Sequence, residues 1–190
     1  MAGNNANEIR VAGTGRILVA PVGTAAPTDT TAAWAAAWKD LGYTSPDGIK
    51  LSKKDKLDPV ETWQSVSPAR FIYSDRDLTV KFQLLQLNED TLPFFMGGDT
   101  LAETATGSGI YKYELASNPK FNEKALGIEF TDGSAITYRF VLPRGQVTDT
   151  EELSLTRTAS IKLGVTFTAL AVDDIKPLVT FLMKDPAYAA

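Results

Sequence analysis

Leu78-Thr79-Val80-Lys81-Phe82-Gln83-Leu84-Leu85-Gln86-Leu87 is the stretch that decides the fold. Leu78, Val80, Phe82 and Leu84 fall on one side of an extended chain, and Thr79, Lys81 and Gln83 fall on the other. A period of two over this length predicts a strand with one buried face and one face turned to solvent or a lumen. Immediately after it, Asn88-Glu89-Asp90-Thr91 is a helix-start cluster, and Pro93 is tolerated near a first turn. Leu92, Phe94, Phe95 and Met96 supply an apolar face, and Gly97-Gly98 supplies the stop. A short helix is predicted over 90–97.

Other stretches repeat the alternation. Leu126, Ile128 and Phe130 alternate with Gly127 and Glu129; Ile136, Tyr138, Phe140 and Leu142 return after the turn dipeptide Asp132-Gly133. Ile161, Leu163, Val165 and Phe167 alternate with Lys162, Gly164 and Thr166 over 160–169, with a shorter strand expected at 152–156. Ile17, Leu18 and Val19 mark a first strand over 16–22, and 110–115 reads as a weaker one. The 21 threonines suit this many strands. The fold class is mainly β: a small sandwich or barrel with one short flanking helix.

Three segments lie outside that pattern. Residues 1–15 are rich in Asn, Ala and Gly and read as a flexible N-terminal arm, with Ile9 and Val11 its only branched apolar residues. Residues 16–172 form the domain, and 173–190 form a C-terminal arm. That arm carries Phe181 and Leu182, and it either returns as an edge strand or docks on a neighbour. Residues 45–75 open on the turn Ser45-Pro46-Asp47-Gly48 and are too polar for core and too long for a tight turn. They read as a long, hairpin-like projecting loop that meets a partner. Residues 32–38 fit either a short helix or an irregular lead-in to a strand.

Composition narrows the chemistry. The chain has 190 residues, 44% hydrophobic and 22% charged, with net charge −4. It contains no cysteine and no histidine. That removes disulfides, thiolate sites, histidine-based triads and histidine-ligated zinc. The acids Asp149, Glu151 and Glu152, and the pair Asp173 and Asp174, lack the spacing of a cation loop. No cofactor, catalytic residue or metal site is expected. No apolar run reaches the roughly 20 residues of a membrane helix, and the N-terminus lacks the features of a secretory signal. Cytoplasmic synthesis is the expectation. With 19 basic against 23 acidic residues, wrapping of DNA is not expected, whereas an acidic surface lets DNA pass without sticking.

Lys50, Lys53, Lys54 and Lys56 interleave with Asp55 and Asp58, and Trp63 follows. A mixed-sign run is usually a solvated loop, but on a projection it also suits contact with a copy of the same chain. Trp34, Trp38 and Trp63 lie outside the patterned strands and are candidate interface residues. They can also simply plug the ends of a small barrel, and a competing function is a monomeric carbohydrate- or ligand-binding β-sandwich with an aromatic platform.

The order of segments resembles a known family. Gly15 to Thr24 is followed by Ala26-Pro27-Thr28-Asp29-Thr30, then Trp38 to Ser45 and Asp47-Gly48-Ile49. Later, Val141-Leu142-Pro143-Arg144-Gly145-Gln146-Val147-Thr148-Asp149 leads to Phe167-Thr168-Ala169-Leu170. Over residues 15–170 this resembles the major tail proteins of long-tailed phages, especially those of actinobacteria. The resemblance implies a virion protein, assembled in the bacterial cytoplasm, whose hexameric rings stack into a hollow tail tube. Its implied partners are itself, the tape measure protein, tail terminator and distal tail proteins, and phage DNA passing through the lumen. It implies ring-to-ring contact through Lys50, Lys53, Lys54, Asp55, Lys56, Asp58 and Trp63. Arm contact falls to Ile9, Val11, Phe181 and Leu182, and lumen positions to Lys81, Gln83, Lys162 and Thr166.

Overall fold

The computed structural model describes residues 3–97, 101–118 and 122–188. One antiparallel sheet dominates. Its strands are β1 (Thr14–Pro21), β2 (Lys39–Asp40), β3 (Lys50–Thr62), β4 (Ser65–Leu84), β7 (Lys124–Asp132), β8 (Ile136–Thr150), β9 (Leu163–Ala169) and β10 (Thr180–Lys184). The spatial order is β2-β1-β7-β8-β9-β4-β3, and β10 also pairs with β8. A separate ladder joins β5 (Ala102–Glu103) to β6 (Tyr111–Lys112). The only α-helix among the described residues is α1 (Thr91–Met96).

β8 is the hinge of the architecture. Its first part pairs with β7, from Asp132↔Ile136 to Lys124↔Gly145, and its last part pairs with β9, from Gly145↔Ala169 to Thr150↔Val165. The sheet thus has two halves that share β8. Ile17, Val19, Leu126, Ile128 and Leu142 of the first half meet Leu78, Val80, Phe82, Leu84, Leu163, Val165 and Phe167 of the second in one core. The segment after β2 closes the far side. Leu41 N donates to Ile17 O, Ser45 N to Gln83 O and Leu85 N to Tyr43 O, each at 2.9 Å. The result is a sandwich closed like a small barrel, with Phe94 and Phe95 of α1 in the same core.

The alternation of 78–84 is realised as expected: Leu78, Val80, Phe82 and Leu84 are all buried. β1 differs, since its Leu18 and Ala20 are buried as well. The reason is a second, smaller cluster of Leu18, Ala20, Trp38, Ala125 and Val141, with Trp34 packed on it. The loop before β2 covers the outer face of the first half-sheet with both indoles. Gly127 makes room: a Cβ there would lie 2.5 Å from the Trp34 ring. Of the two readings of 32–38, the irregular one holds, because no helix forms there.

Several expectations are corrected. No strand forms at 152–156; the chain is irregular from Glu151 to Lys162, and β9 begins at Leu163 rather than at Ser160. β8 runs on through Pro143 and Gly145 instead of stopping at Leu142. Proline reads as a stop, yet here it sits in a register shift where β8 carries an extra residue, so no ladder bond is needed from it. Of 110–115, only Tyr111–Lys112 pairs. The strand at 78–87 ends at Leu84 but begins at Ser65. The helix is shorter by a residue at each end than 90–97. Asn88 Oδ1 accepts from Asp90 N at 3.0 Å and Thr91 N at 2.9 Å, so Asn88 carries the capping side chain. Gly97 ends it in the left-handed region at φ 73°, donating to Pro93 O. Gly98 lies outside the described residues.

Candidate assembly surfaces

The excursion over 45–75 is a two-stranded hairpin with two breaks in register, one at Ser74 and one near the tip between Val60↔Arg70 and Thr62↔Ser65. β3 pairs with β4 from Lys50↔Lys81 out to Thr62↔Ser65. Lys50–Lys53 and Leu78–Lys81 belong to the barrel wall, where β4 also pairs with β9 as far as Thr79↔Thr168. Beyond that the ribbon stands alone. Residues 54–62 extend roughly 30 Å at about 3.3 Å per residue.

One face is charged at its base and apolar further out, whereas the opposite face mixes Lys54, Lys56, Asp58, Asp75, Asp77 and Arg70 with Val60 and Ile72. Asp55 binds Lys53 at 2.5 Å and Arg76 at 2.8 Å, which forms a charged belt at the base. These hydrogen bonds, Arg76 first and Lys53 second, hold the Asp55 carboxyl below its ordinary range. The pairing then slips between Lys56 and Leu57, leaving Ser74 as an extra residue. The slip changes the phase of β4, so Leu57↔Tyr73 and Pro59↔Phe71 continue the face that holds Leu51, Val80 and Leu78. Leu57 is 48% exposed, Phe71 59% and Tyr73 69%. Trp63 and Val66, at the tip, are fully exposed.

The seven residues expected to contact the next ring therefore divide. Lys53 and Asp55 lie on the apolar face, Lys54, Lys56 and Asp58 on the opposite one, Lys50 in the barrel wall and Trp63 at the tip. Sequence reasoning missed Leu57, Pro59, Phe71 and Tyr73. Phe71 and Tyr73 do alternate, but the phase shift at Ser74 has no sequence signal.

Arg10 of the N-terminal arm and Asp185 of the C-terminal arm meet. Asp185 accepts from Arg10 Nε at 2.5 Å, Arg10 Nη2 at 2.6 Å, Tyr138 Oη at 2.5 Å and Ala187 N at 2.9 Å. Its side chain is 1% exposed. The Arg10 bonds hold the Asp185 carboxyl far below the usual range, and the Asp185 bond pushes Tyr138 up to about 12. Val11 N bonds Asp132 and Gly13 N bonds Thr131, so the inner part of the arm expected to be flexible is pinned. Ile9 and Val11 remain exposed. The C-terminal arm returns as edge strand β10, with Phe181 edge-on to Phe140 at 4.5 Å and Leu182 opposite Arg139. Met1, Ala2, Ala189 and Ala190 of the two arms lie outside the described residues.

The two half-sheets present different outer faces. Glu129, on the first, accepts from Arg16 at 2.9 Å, Trp34 at 3.0 Å and Arg139. Burial raises its pKa, but the Trp34, Arg139 and Arg16 partners outweigh that and hold it low. Arg139 also donates to Asp29 O and Ala32 O, which fastens the covering loop. The second half-sheet is uncovered. Lys81 pairs with Thr166, and Thr79 with Thr168, whose hydroxyl is 2.7 Å from that of Thr148. Gln83 donates to Glu151 at 2.6 Å. Lys162 precedes β9 and is exposed.

Trp34 and Trp38 pack edge to face at 66° and are held against the sheet, so they make no flat platform for a sugar. Only Trp63 of the three is free for an interface. Among the described residues, no cluster of three acids could hold a metal ion. No helix among them is long and apolar enough to cross a membrane.

A family model described as Phage tail tube protein matches residues 2–190. The chain belongs to the phage tail tube protein family. It is therefore a structural tail tube protein and a virion component. The mainly antiparallel β-fold with one short helix is consistent with a tail tube β-sandwich. No curated protein matches the sequence.

Proposed function

We propose that this tail tube protein forms hexameric rings that stack into the hollow tube of a long, flexible phage tail of the actinobacteriophage type. The tube encloses the tape measure protein during assembly in the host cytoplasm and then conducts DNA. Tail terminator and distal tail proteins close its ends.

One observation carries this reading: the long hairpin with an exposed apolar face. A two-stranded ribbon is marginal in water, so this one needs another surface to lie on. Full burial of each large side chain on it yields about 1.5–3 kcal/mol. Within the tail tube family, the surface that recurs at every subunit is another copy of the chain.

The lumen reading is supported by the contrast between the half-sheets. The face of the first is filled by Trp34 and Trp38. The face of the second is open and polar, and it carries Lys81, Gln83 and Thr166, with Lys162 beyond its end. Threonine hydroxyls offer DNA no fixed charge to hold it.

Electron microscopy of the purified protein, with and without tail partners, tests the proposal. Hollow tubes are expected from the intact chain. Replacing residues 57–74 with an Asn-Gly turn, between the paired Lys56 and Asp75, should leave a folded subunit that builds no tube. Monomers alone under every condition, and no tubes in infected cells, would overturn it.

A further inference from the structure

The hairpin and α1 lie at opposite ends of the barrel. The hairpin leaves β4 beyond Leu78, whereas α1 follows the other end, after Leu84. The closing segment fixes the direction of β1. Running from Lys39 opposite Val19 to Thr44 opposite Leu84, it places the Pro21 end of β1 beside α1. A groove of about 370 Å3 opens there. Val19, Pro21, Pro93 and Phe94 supply its apolar surface. Lys39 and Lys124 line it from the sheet side, and Glu89 and Asp90 line it from the helix side. None of these four charges forms an ion pair among the described residues.

The tip of the hairpin carries the complementary chemistry. Trp63 is 99% exposed and has no ring partner. Behind it on the ribbon, Glu61 follows Val60 and Arg70 pairs with Val60, and both charges are exposed. An indole suits an apolar groove of this size. One acid and one base just behind the indole match a groove with lysines on one wall and acids on the other. A chain cannot fill its own groove, because tip and groove are at opposite ends.

We infer that Trp63 of one copy inserts into the groove between β1, β7 and α1 of the next copy along the tube. This rests on the tube reading and names its acceptor. The contact is head to tail: donor and acceptor are different surfaces, so the contact propagates along an axis instead of closing as a pair. Glu61 of the incoming tip faces Lys39 and Lys124, and Arg70 faces Glu89 and Asp90.

The natural chain has no cysteine, so engineered cysteines report one contact each. Gln64→Cys stands beside Trp63, and Ala37→Cys lies in the groove wall. Tubes of the double variant should give a ladder of disulfide-linked multimers on oxidation. Each single variant should stay monomeric on the same gel. Tubes that form normally but give no ladder overturn the groove and leave the tube reading standing. A disulfide-linked dimer from Gln64→Cys alone overturns it too, since the tips then meet each other. Absence of tubes from the intact chain removes the tube reading and this inference with it. A second measurement avoids cysteine: Trp63 should become protected from acrylamide quenching on assembly. That change should vanish in Trp63→Phe, and unchanged quenching in intact tubes would also overturn the inference.

Discussion

At the residue scale, Asp185 does the most with one side chain. It joins Arg10 of one arm, Tyr138 of β8 and its own 3-10 turn, where Ala187 donates. Nothing in the sequence marks it, because its partners are 175 and 47 residues away. Charge and hydroxyl contacts at such separation have no period to read. Its pKa does permit a prediction. Arg10 lowers the folded-state value, so the carboxylate adds stability above the unfolded value of about 4 and loses it as pH falls through the folded value. The clasp should therefore be complete at neutral pH and begin to weaken only below about pH 4. Tryptic cleavage after Arg10 checks it at neutral pH. The intact chain should resist, Asp185→Asn should be cut readily, and equal cutting of the two would remove the clasp.

At the element scale, legibility followed burial. β4 from Leu78 was readable because one face is in the core and the other is not; β7 was readable because its core face carries Leu126 and Ile128 while its covered outer face carries the small Ala125 and Gly127. The outer half of β4 was not, because an exposed ribbon imposes no apolar alternation on its sequence. β8 was cut short for the opposite reason: Pro143 looks like an end, and only the change of partner from β7 to β9 explains why the strand continues. The indoles misled because an irregular loop carries no pattern, although Trp34 and Trp38 form the lid of a half-sheet. The hairpin phase can be tested by itself. Inserting one threonine between Lys56 and Leu57 gives Ser74 a partner, which turns Leu57, Pro59, Phe71 and Tyr73 to the opposite face. Deleting Ser74 leaves them on their face and only straightens the ribbon. The insertion should stop tube growth and leave the melting temperature of the barrel unchanged; the deletion should still give tubes. Electron microscopy and calorimetry of the two variants decide. Tubes from the insertion variant would mean the apolar face is not the contact.

At the scale of the whole molecule, the fold manages its edges by length and by closure. β2 and β10 are short, and residues 41–45 seal the seam between β1 and β4. Among the described residues, long unpaired strand is left on the hairpin, where the proposed assembly would use it. The same economy leaves one broad face uncovered, that of β4, β9 and the end of β8. If that face lines the tube, its cations are confined to Lys50 and Lys81 with Lys162 beyond its end, and Glu151 lies beside Gln83, which limits the hold on DNA, since phosphate binding grows with each added cation. Thr166→Lys and Thr168→Lys put two cations per subunit on it, at positions paired with Lys81 and Thr79. Both side chains point away from the core, so the fold should survive the loss of the Thr148 bond and the like charge opposite Lys81, and normal tubes in the electron microscope check this first. DNA release from phage carrying the double variant should be slower at low salt and recover as salt rises, because screening weakens the added contacts. Thr166→Ser with Thr168→Ser serves as the control and should release DNA at the natural rate. Release by the lysine variant that is normal at every salt concentration would place this face on the outside of the tube.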